Sequence, residues 1–345
     1  MPAFRETEVV EVISERPGLV RVALVDGERA YAVTQLTGPV AAGDRVIVNT
    51  TAVDLGLGSG GWHVVHWNLT AGPWSERGPG HLMKLRYTSL QVDTGSAEEA
   101  ADIPTSLDGA PVVVTGVHSQ LPPVLAAIAA ARPGTRAAYV MTDGAALPLA
   151  LSDSVVQLRE RGLLVGSVTA GHAFGGDHEA LNVPAALASA RHLLDAEVIV
   201  VGMGPGIAGT GSPLGFTGLE VAPSLDAVAW LGGTPIACLR CSEADPRPRH
   251  RGISHHTTTA LDAVRSEVRI ALPPGVDPVG ARHRWYRVDP GDVPALLAER
   301  GLTVSTMGRS PDQDRLYFQA AGAAGTLAAA CLDGAEPDPV PAPAA

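Results

Sequence analysis

Histidine and aspartate crowd together in the stretch GHAFGGDHEALN, where His172, Asp177 and His178 fall close in sequence with Gly175 and Gly176 between them. Neutral imidazole and carboxylate are the ligand set of zinc, manganese and iron sites, and the same groups serve as general acids and bases. Glycine beside them lets the backbone turn tightly and approach a ligand. His172, Asp177, His178 and His256 are therefore candidate metal ligands, and His172, His178 and Asp143 are candidate catalytic groups. A third donor would come from another loop, with His118, Asp143 or His256 able to supply it. The open position would hold a water whose pKa zinc lowers towards about 7. A divalent metal is one open cofactor assignment. Acid/base work without a metal, and hydrogen bonding to loop carbonyls, stay open beside it, because no HExxH or paired CxxC spacing decides between them.

A second group suits an anion. Gly204, Gly206, Gly209, Thr210 and Gly211 follow a buried apolar run at 197–201. The spacing matches G-x-G-x-x-G, but TGSPLGFTG intervenes where a dinucleotide fold would open its helix, so backbone amides cradling a phosphate fit better than a nicotinamide site, and a glycine-rich turn that serves packing alone stays open beside them. Arg247, Arg249 and Arg251 sit with His250 in a proline-broken loop, a local inversion of sign that reads either as solvated surface or as a lid clamping an anion. His118, Ser119, Arg240 and His255 join Arg249 and the glycine loop as candidate ligand-binding residues; His118, Ser119, Arg240 and the glycine loop lie just past expected strand ends, and His255 and Arg249 on or beside the same rim. Cys238 and Cys241 form a CxxC that straddles a strand end instead of opening a helix, which disfavours redox use.

The elements that position these residues follow from hydrophobic period. Residues 8–67 read as five short strands separated by turn signals, including Pro17-Gly18 and Asp26-Gly27, and so predict a small OB/SH3-like barrel. From Pro111 onward short apolar runs alternate with helical patterns, which predicts an α/β fold: a mostly parallel open sheet with helices on both faces. Asn182 and Ser254 are expected to cap helices, the latter placing His255 and His256 in a first helical turn. Ser119 is a third candidate cap, and Thr217 with Glu220 has capping-box spacing. Strands are expected near 268–272, 285–288 and 302–305. The domain reading is a barrel at 1–69, a connector at 70–110, an α/β core at 111–332 and a proline-rich, disordered tail at 333–345. In such a sheet, ligands bind outside the carboxyl ends of the strands.

Composition narrows the partners. With 25 Lys+Arg against 36 Asp+Glu and a net charge of −11, the chain lacks the broad basic face of a nucleic-acid binder. No apolar run is long enough to span a membrane, the start MPAFRETEVV has no signal-like pattern, and three cysteines make no disulfide framework, so a cytoplasmic location is expected. The expected partner is a small anionic molecule, with no nucleic acid and no membrane; a homo-oligomer stays open.

The strings LTGPVAAGDRVIVNTTAVDLGLGSGG, GHLMKLRYTSLQ, GHAFGGDHEALNVPAALA, VVGMGPGIAGTGSPLGFTGLEVA and RHRGISHHTTTAL resemble an uncharacterised bacterial family known as a domain of unknown function. The likeness spans nearly the whole chain and brings no assigned activity or site residues with it. The residues themselves leave two classes. One is an enzyme acting on a small phosphorylated or nucleotide-like anion by hydrolysis or group transfer, with or without a metal. The other is a non-catalytic metabolite-binding or regulatory module.

Overall fold

A computed structural model describes residues 1–341 apart from 59, 77 and 281. Backbone proximity divides it into two compact units, Met1–Gly95 and Ser96–Ala345.

In the first unit, strands β1 (Phe4–Arg16), β2 (Leu19–Leu24), β3 (Arg29–Val33), β4 (Arg45–Asn49) and β5 (Trp62–Asn68) close a barrel in the order β1-β2-β3-β5-β4. The pairs are antiparallel except β3 with β5. Both expected turns join strands here. Alternate residues point inward, so Val9, Val20, Val22, Val46, Val48 and Val65 make the core. Single helical turns α1 (Thr34–Thr37) and α2 (Thr51–Asp54) flank β4. Within the connector the run HLMKLRYTSLQV makes a small hairpin of β6 (Met83–Lys84) and β7 (Val92–Asp93). Leu85 and Tyr87 adopt positive φ, at 52° and 63°, which stops the extended run.

In the second unit a single turn, α3 (Ala97–Ala100), precedes the sheet. The strands are β8 (Pro111–Val114), β9 (Ala137–Thr142), β10 (Gly166–Ala170), β11 (His178–Ala180), β12 (Val198–Met203), β13 (Thr234–Ala237), and, after the two-stranded β14 (Cys241–Ser242) and β15 (Gly252–Ile253), β16 (Arg269–Leu272), β17 (Arg284–Arg287) and β18 (Pro339–Val340). Nine of them form one sheet in the order β11-β10-β9-β12-β8-β13-β16-β17-β18. Every pairing in it is parallel except that of β17 with β18. Strands β8, β9, β10 and β12 are buried along their whole length, as apolar runs covered on both faces require.

Helices cover both faces. α4 (Leu121–Ala131), α5 (Asp153–Glu160), α9 (Val293–Glu299) and α10 (Arg315–Leu332) bury Val124, Leu158, Leu297 and Phe318 on one side. α6 (Val183–His192), α7 (Val221–Trp230) and α8 (His255–Ala263) bury Leu187, Leu225 and Leu261 on the other. The chain leaves β8 through α4 on the first face but leaves its neighbours β12 and β13 through α7 and α8 on the second. That reversal opens crevices beside the carboxyl end of β8, the place where open α/β sheets bind ligands.

Four local expectations differ from the structure. Residues 302–305 are not a strand; Leu302 packs into the core and Thr303 N–H donates to Gln157 Oε1 at 2.8 Å, so α5 takes the backbone group that a sheet neighbour would have taken. The edge strands are instead β11, with His178 opposite Val168, and β18. Ser119 does not cap α4; its hydroxyl meets Tyr317 Oη at 2.6 Å. Thr217 and Glu220 form a short 3-10 turn without a capping side chain, and Glu220 turns to Thr142 instead. In the tail, Glu336 pairs with Arg269 at 2.8 Å and Pro339–Val340 adds β18 to the sheet, so these residues are ordered by a charge and an unpaired strand edge. Residues 342–345 lie outside the described residues. Among the described residues no helix is long and apolar enough to cross a membrane.

Candidate functional site

Arg240 follows β13, and the chain then forms the β14–β15 hairpin before entering α8 at Ser254. Ser254 is fully buried and caps as expected: its Oγ accepts from His256 N–H at 3.2 Å. The same oxygen meets His250 Nδ1 at 2.7 Å, so one hydroxyl fixes both the helix start and an imidazole of the preceding loop. The ligand-capable atoms of His250, His255 and His256 all lie within 4.8 Å of one another, the one such three-residue group among the described residues.

Phe216, from the glycine loop after β12, stacks on His256 with ring centroids 3.8 Å apart and planes 2° from parallel. Arg240 Nη1 lies 3.2 Å from His256 Nδ1; a guanidinium can only donate, so that nitrogen carries a lone pair. His255 Nδ1 lies 3.2 Å from the Arg249 carbonyl oxygen, which only accepts. In the neutral ring this places the proton on Nδ1 and the lone pair on Nε2, a buried atom with no hydrogen-bond partner. His250 Nε2 is buried without a partner as well.

Burial first, and then repulsion by Arg240, hold two of these rings neutral, with His250 pushed down to about 4 and His256 to about 3. Arg240 itself is 6% exposed. A narrow pocket opens here between Gly116, Gly218, Ala237, Arg240 and His256, beside the carboxyl ends of β8 and β13.

The three arginines of the loop part company. Arg247 donates through Nε and Nη2 to Asp245 at 2.9 and 2.8 Å. Asp245 is 1% exposed, and this bond holds its carboxyl well below the usual carboxylate range. Arg309 reaches Asp245 at 3.4 Å and Asp314 at 2.9 Å, and Ser242 Oγ donates to Asp314 at 2.7 Å. Arg251 Nε donates to the Asp245 carbonyl at 3.1 Å. Arg247 and Arg251 therefore pin the loop. The Arg249 guanidinium takes no hydrogen bond or ion pair among the described residues, and it lies beside Gly211: a Cβ built there would sit 3.8 Å from both terminal nitrogens. Gly211 has φ +83°, which a side chain would strain.

The structure thus brings together His255, His256, Arg240, Arg249 and Gly211 of the expected site. The rest of the glycine loop is partly self-satisfied. Thr210 N–H donates to the Gly215 carbonyl at 2.7 Å and Ala208 N–H to Thr217 Oγ1 at 3.2 Å, so these two amides are spent on the hairpin that carries Phe216, where Gly209 stands opposite Phe216. Gly204 is a packing glycine, since a Cβ there would meet the Ala146 carbonyl oxygen at 2.7 Å. Gly206 has φ +104° and turns the loop.

His172, Asp177 and His178 are not gathered into a three-ligand group. Asp177 accepts from Ser167 N–H at 2.7 Å and pairs with Arg159, binding the start of β10 to the loop before β11. Glu179 does similar work, accepting from Thr169 Oγ1 and Gly175 N–H at 2.6 and 2.7 Å. Asp143 accepts from His172 N–H at 2.9 Å and so braces the same loop. His118 has both nitrogens engaged, Nε2 with Ser152 Oγ at 2.7 Å and Nδ1 with the Met203 carbonyl at 3.0 Å, and burial lowers its pKa to about 4. Cys238 and Cys241 are buried thiols, with burial pushing Cys241 up to about 12, so neither is a reactive thiolate at neutral pH.

Two contributors to the cluster, His250 and Phe216, were not singled out from sequence, and neither was the perturbed carboxyl of Glu220 beside Thr142 and Asp143. His250 was read with the arginines, though H-x4-H-H around a serine cap carries the signal. Phe216 gave none beyond its glycine-rich setting. Glu220 was read as a capping residue; it accepts from Thr142 Oγ1, and burial, together with the charge of Asp143, raises its pKa from 4.5 to about 7.

Fold and site together define a doubly wound α/β protein with an added five-stranded barrel, carrying an imidazole and guanidinium cluster at the carboxyl rim of its sheet. Residues 29–325 match the family described as Protein of unknown function (DUF3866), and the chain belongs to that family. No curated protein matches the chain.

Proposed function

We propose that this protein is an enzyme acting on a small anionic substrate, phosphorylated or nucleotide-like, by hydrolysis or group transfer at the rim of β8, β12 and β13. One observation carries the reading: a buried, unpartnered His255 Nε2 lone pair lies in a cluster with the Arg240 guanidinium at His256 and with Arg249 lying against Gly211. A neutral imidazole is a general base at physiological pH, and a nearby guanidinium supplies the charge that recruits an anion and stabilises it as a bond breaks. In a chain of net charge −11 this concentration of cations focuses attraction at one place. His255 acts as the base, Arg249 as the substrate clamp, and Arg240 as the group that holds His256 and faces the pocket.

The test is calorimetric titration with inorganic phosphate and pyrophosphate. Wild type should bind at least one of them. Arg249→Ala should weaken that binding by about tenfold to a hundredfold, the worth of a charge-assisted bond. Equal affinity in the variant would remove Arg249 from the site.

A further inference from the structure

We infer that His250, His255 and His256 hold a divalent transition metal ion of the nitrogen-preferring class, with zinc as the reference case. The ion binding stands on its own geometry; its use in turnover rests on the function proposed above, and with the ion bound the His255 Nε2 lone pair is a ligand, so a water held by the ion would supply the base in place of that imidazole. Three nitrogens on one loop and one helix start are already gathered within 4.8 Å, and the Nε2 atoms of His250 and His255 are buried with no partner. A buried lone pair left unsatisfied is costly, and the one that the Arg249 carbonyl fixes on His255 Nε2 belongs to the same cluster as a second unpartnered ring nitrogen, which suits a common acceptor of electron pairs.

The surroundings match what ligating imidazoles need. A metal-bound histidine donates its other ring N–H to a carbonyl, carboxylate or hydroxyl, which fixes the ring and its tautomer. The Arg249 carbonyl does this for His255 Nδ1 at 3.2 Å. For His250, Ser254 Oγ stands at 2.7 Å from Nδ1 and has two lone pairs, one for that N–H and one for His256 N–H. The Phe216 stack holds the third ring in plane.

His256 is the costly ligand. Its Nδ1 lone pair takes a hydrogen bond from Arg240, so ligation through that atom exchanges a guanidinium for the ion. The exchange releases Arg240 to an incoming anion and places a second cation beside it. Ion and anion should therefore strengthen each other's binding. A trio of imidazoles with water completing the shell is also the open arrangement of a catalytic centre.

The experiment is titration of metal-free, untagged full-length protein with zinc chloride, alone and with inorganic phosphate, for wild type, His255→Asn and a His172→Ala/His178→Ala double variant. Wild type and the double variant should bind one zinc per chain, more tightly with phosphate present. His255→Asn should bind at least about 100-fold more weakly, beyond the roughly 10–100-fold typical for loss of an outer partner. If His255→Asn does not fold, nitrogen-15 spectra of the wild-type imidazoles read the ligands directly, and ring nitrogens of all three histidines should shift as zinc is added. No zinc binding by wild type, equal binding by His255→Asn, or unshifted imidazoles would overturn the site. Phosphate binding that persists without zinc would then leave the anion reading in place, whereas zinc bound without any phosphate affinity would uphold the ion and remove that reading.

Discussion

At the scale of single residues, two arginines two positions apart have opposite jobs, and their variants should separate. Arg249 makes no ion pair among the described residues, so Arg249→Ala should leave chemical stability within about 0.5 kcal/mol while weakening phosphate binding. Arg247 neutralises a carboxylate that is 1% exposed, and Arg247→Ala should cost roughly 2 kcal/mol in urea unfolding, short of full loss because Arg309 and Arg240 remain near Asp245. Equal stability of the two variants would contradict the assignment. Glu220 gives the pH prediction. Its folded pKa lies at about 7, above its ordinary 4.5, so the fold prefers the protonated carboxyl. The stability this contributes is fully present below about pH 4.5 and is lost as pH rises to about 7, on the order of 2 kcal/mol after allowing for partial exposure. Glu220→Gln should flatten that slope; an unchanged pH profile of the melting temperature would rule the carboxyl out as its source. Residue chemistry was the least legible part of the sequence. Spacing alone favoured His172 with His178, but the Ser167 amide engages Asp177 and the His172 amide engages Asp143, and a hydrogen-bond demand of that kind is invisible until the loop is closed.

At the scale of elements, the start of α8 is the organising feature. Ser254 serves the helix and His250 with one oxygen, so Ser254→Ala should cost about 1–2 kcal/mol, as loss of a buried cap does, and should also weaken anion binding. Stability loss without any change in binding would mean that the histidine trio is not the site. This cap was legible, as was that of α6, where Asn182 Oδ1 accepts from Ala185 N–H at 2.9 Å, because both rest on local chemistry next to a clear apolar period. Strands β8, β9, β10 and β12 were legible for the same reason, though β10 begins later than the apolar run that announced it. What failed was non-local. Glu220 is drawn from a capping role by Thr142, 78 positions away, and residues 302–305 are drawn from the sheet by Gln157. β11 and β18 are short pieces recruited by open sheet edges, with no period of their own to read.

At the scale of the molecule, every group assigned to the site belongs to the unit Ser96–Ala345, so a chain of residues 96–345 should fold and keep the phosphate affinity of the full-length protein within about threefold, under 1 kcal/mol. Loss of binding in a folded fragment would show that residues 1–95 contribute to recognition. The barrel and the doubly wound sheet were both legible as classes, because strand order and crossover hand leave few alternatives, and from them the carboxyl edge was the expected ligand side. Which loop on that edge to propose as the site was not, since several loops of similar composition reach it, and the packing of Phe216 on His256 and of Arg249 on Gly211 is what favours one of them. The central claim is that this cluster turns over an anionic substrate through His255, as the base in the metal-free protein and as a ligand once the ion is bound. It is tested most directly by initial rates on a panel of phosphomonoesters, phosphodiesters and nucleoside phosphates, measured for wild type and His255→Ala with and without added zinc. Turnover of at least one class by wild type, reduced by about 10²–10⁴-fold in the variant, is the expected result; binding without turnover across the panel, or equal rates for the two proteins, would contradict it.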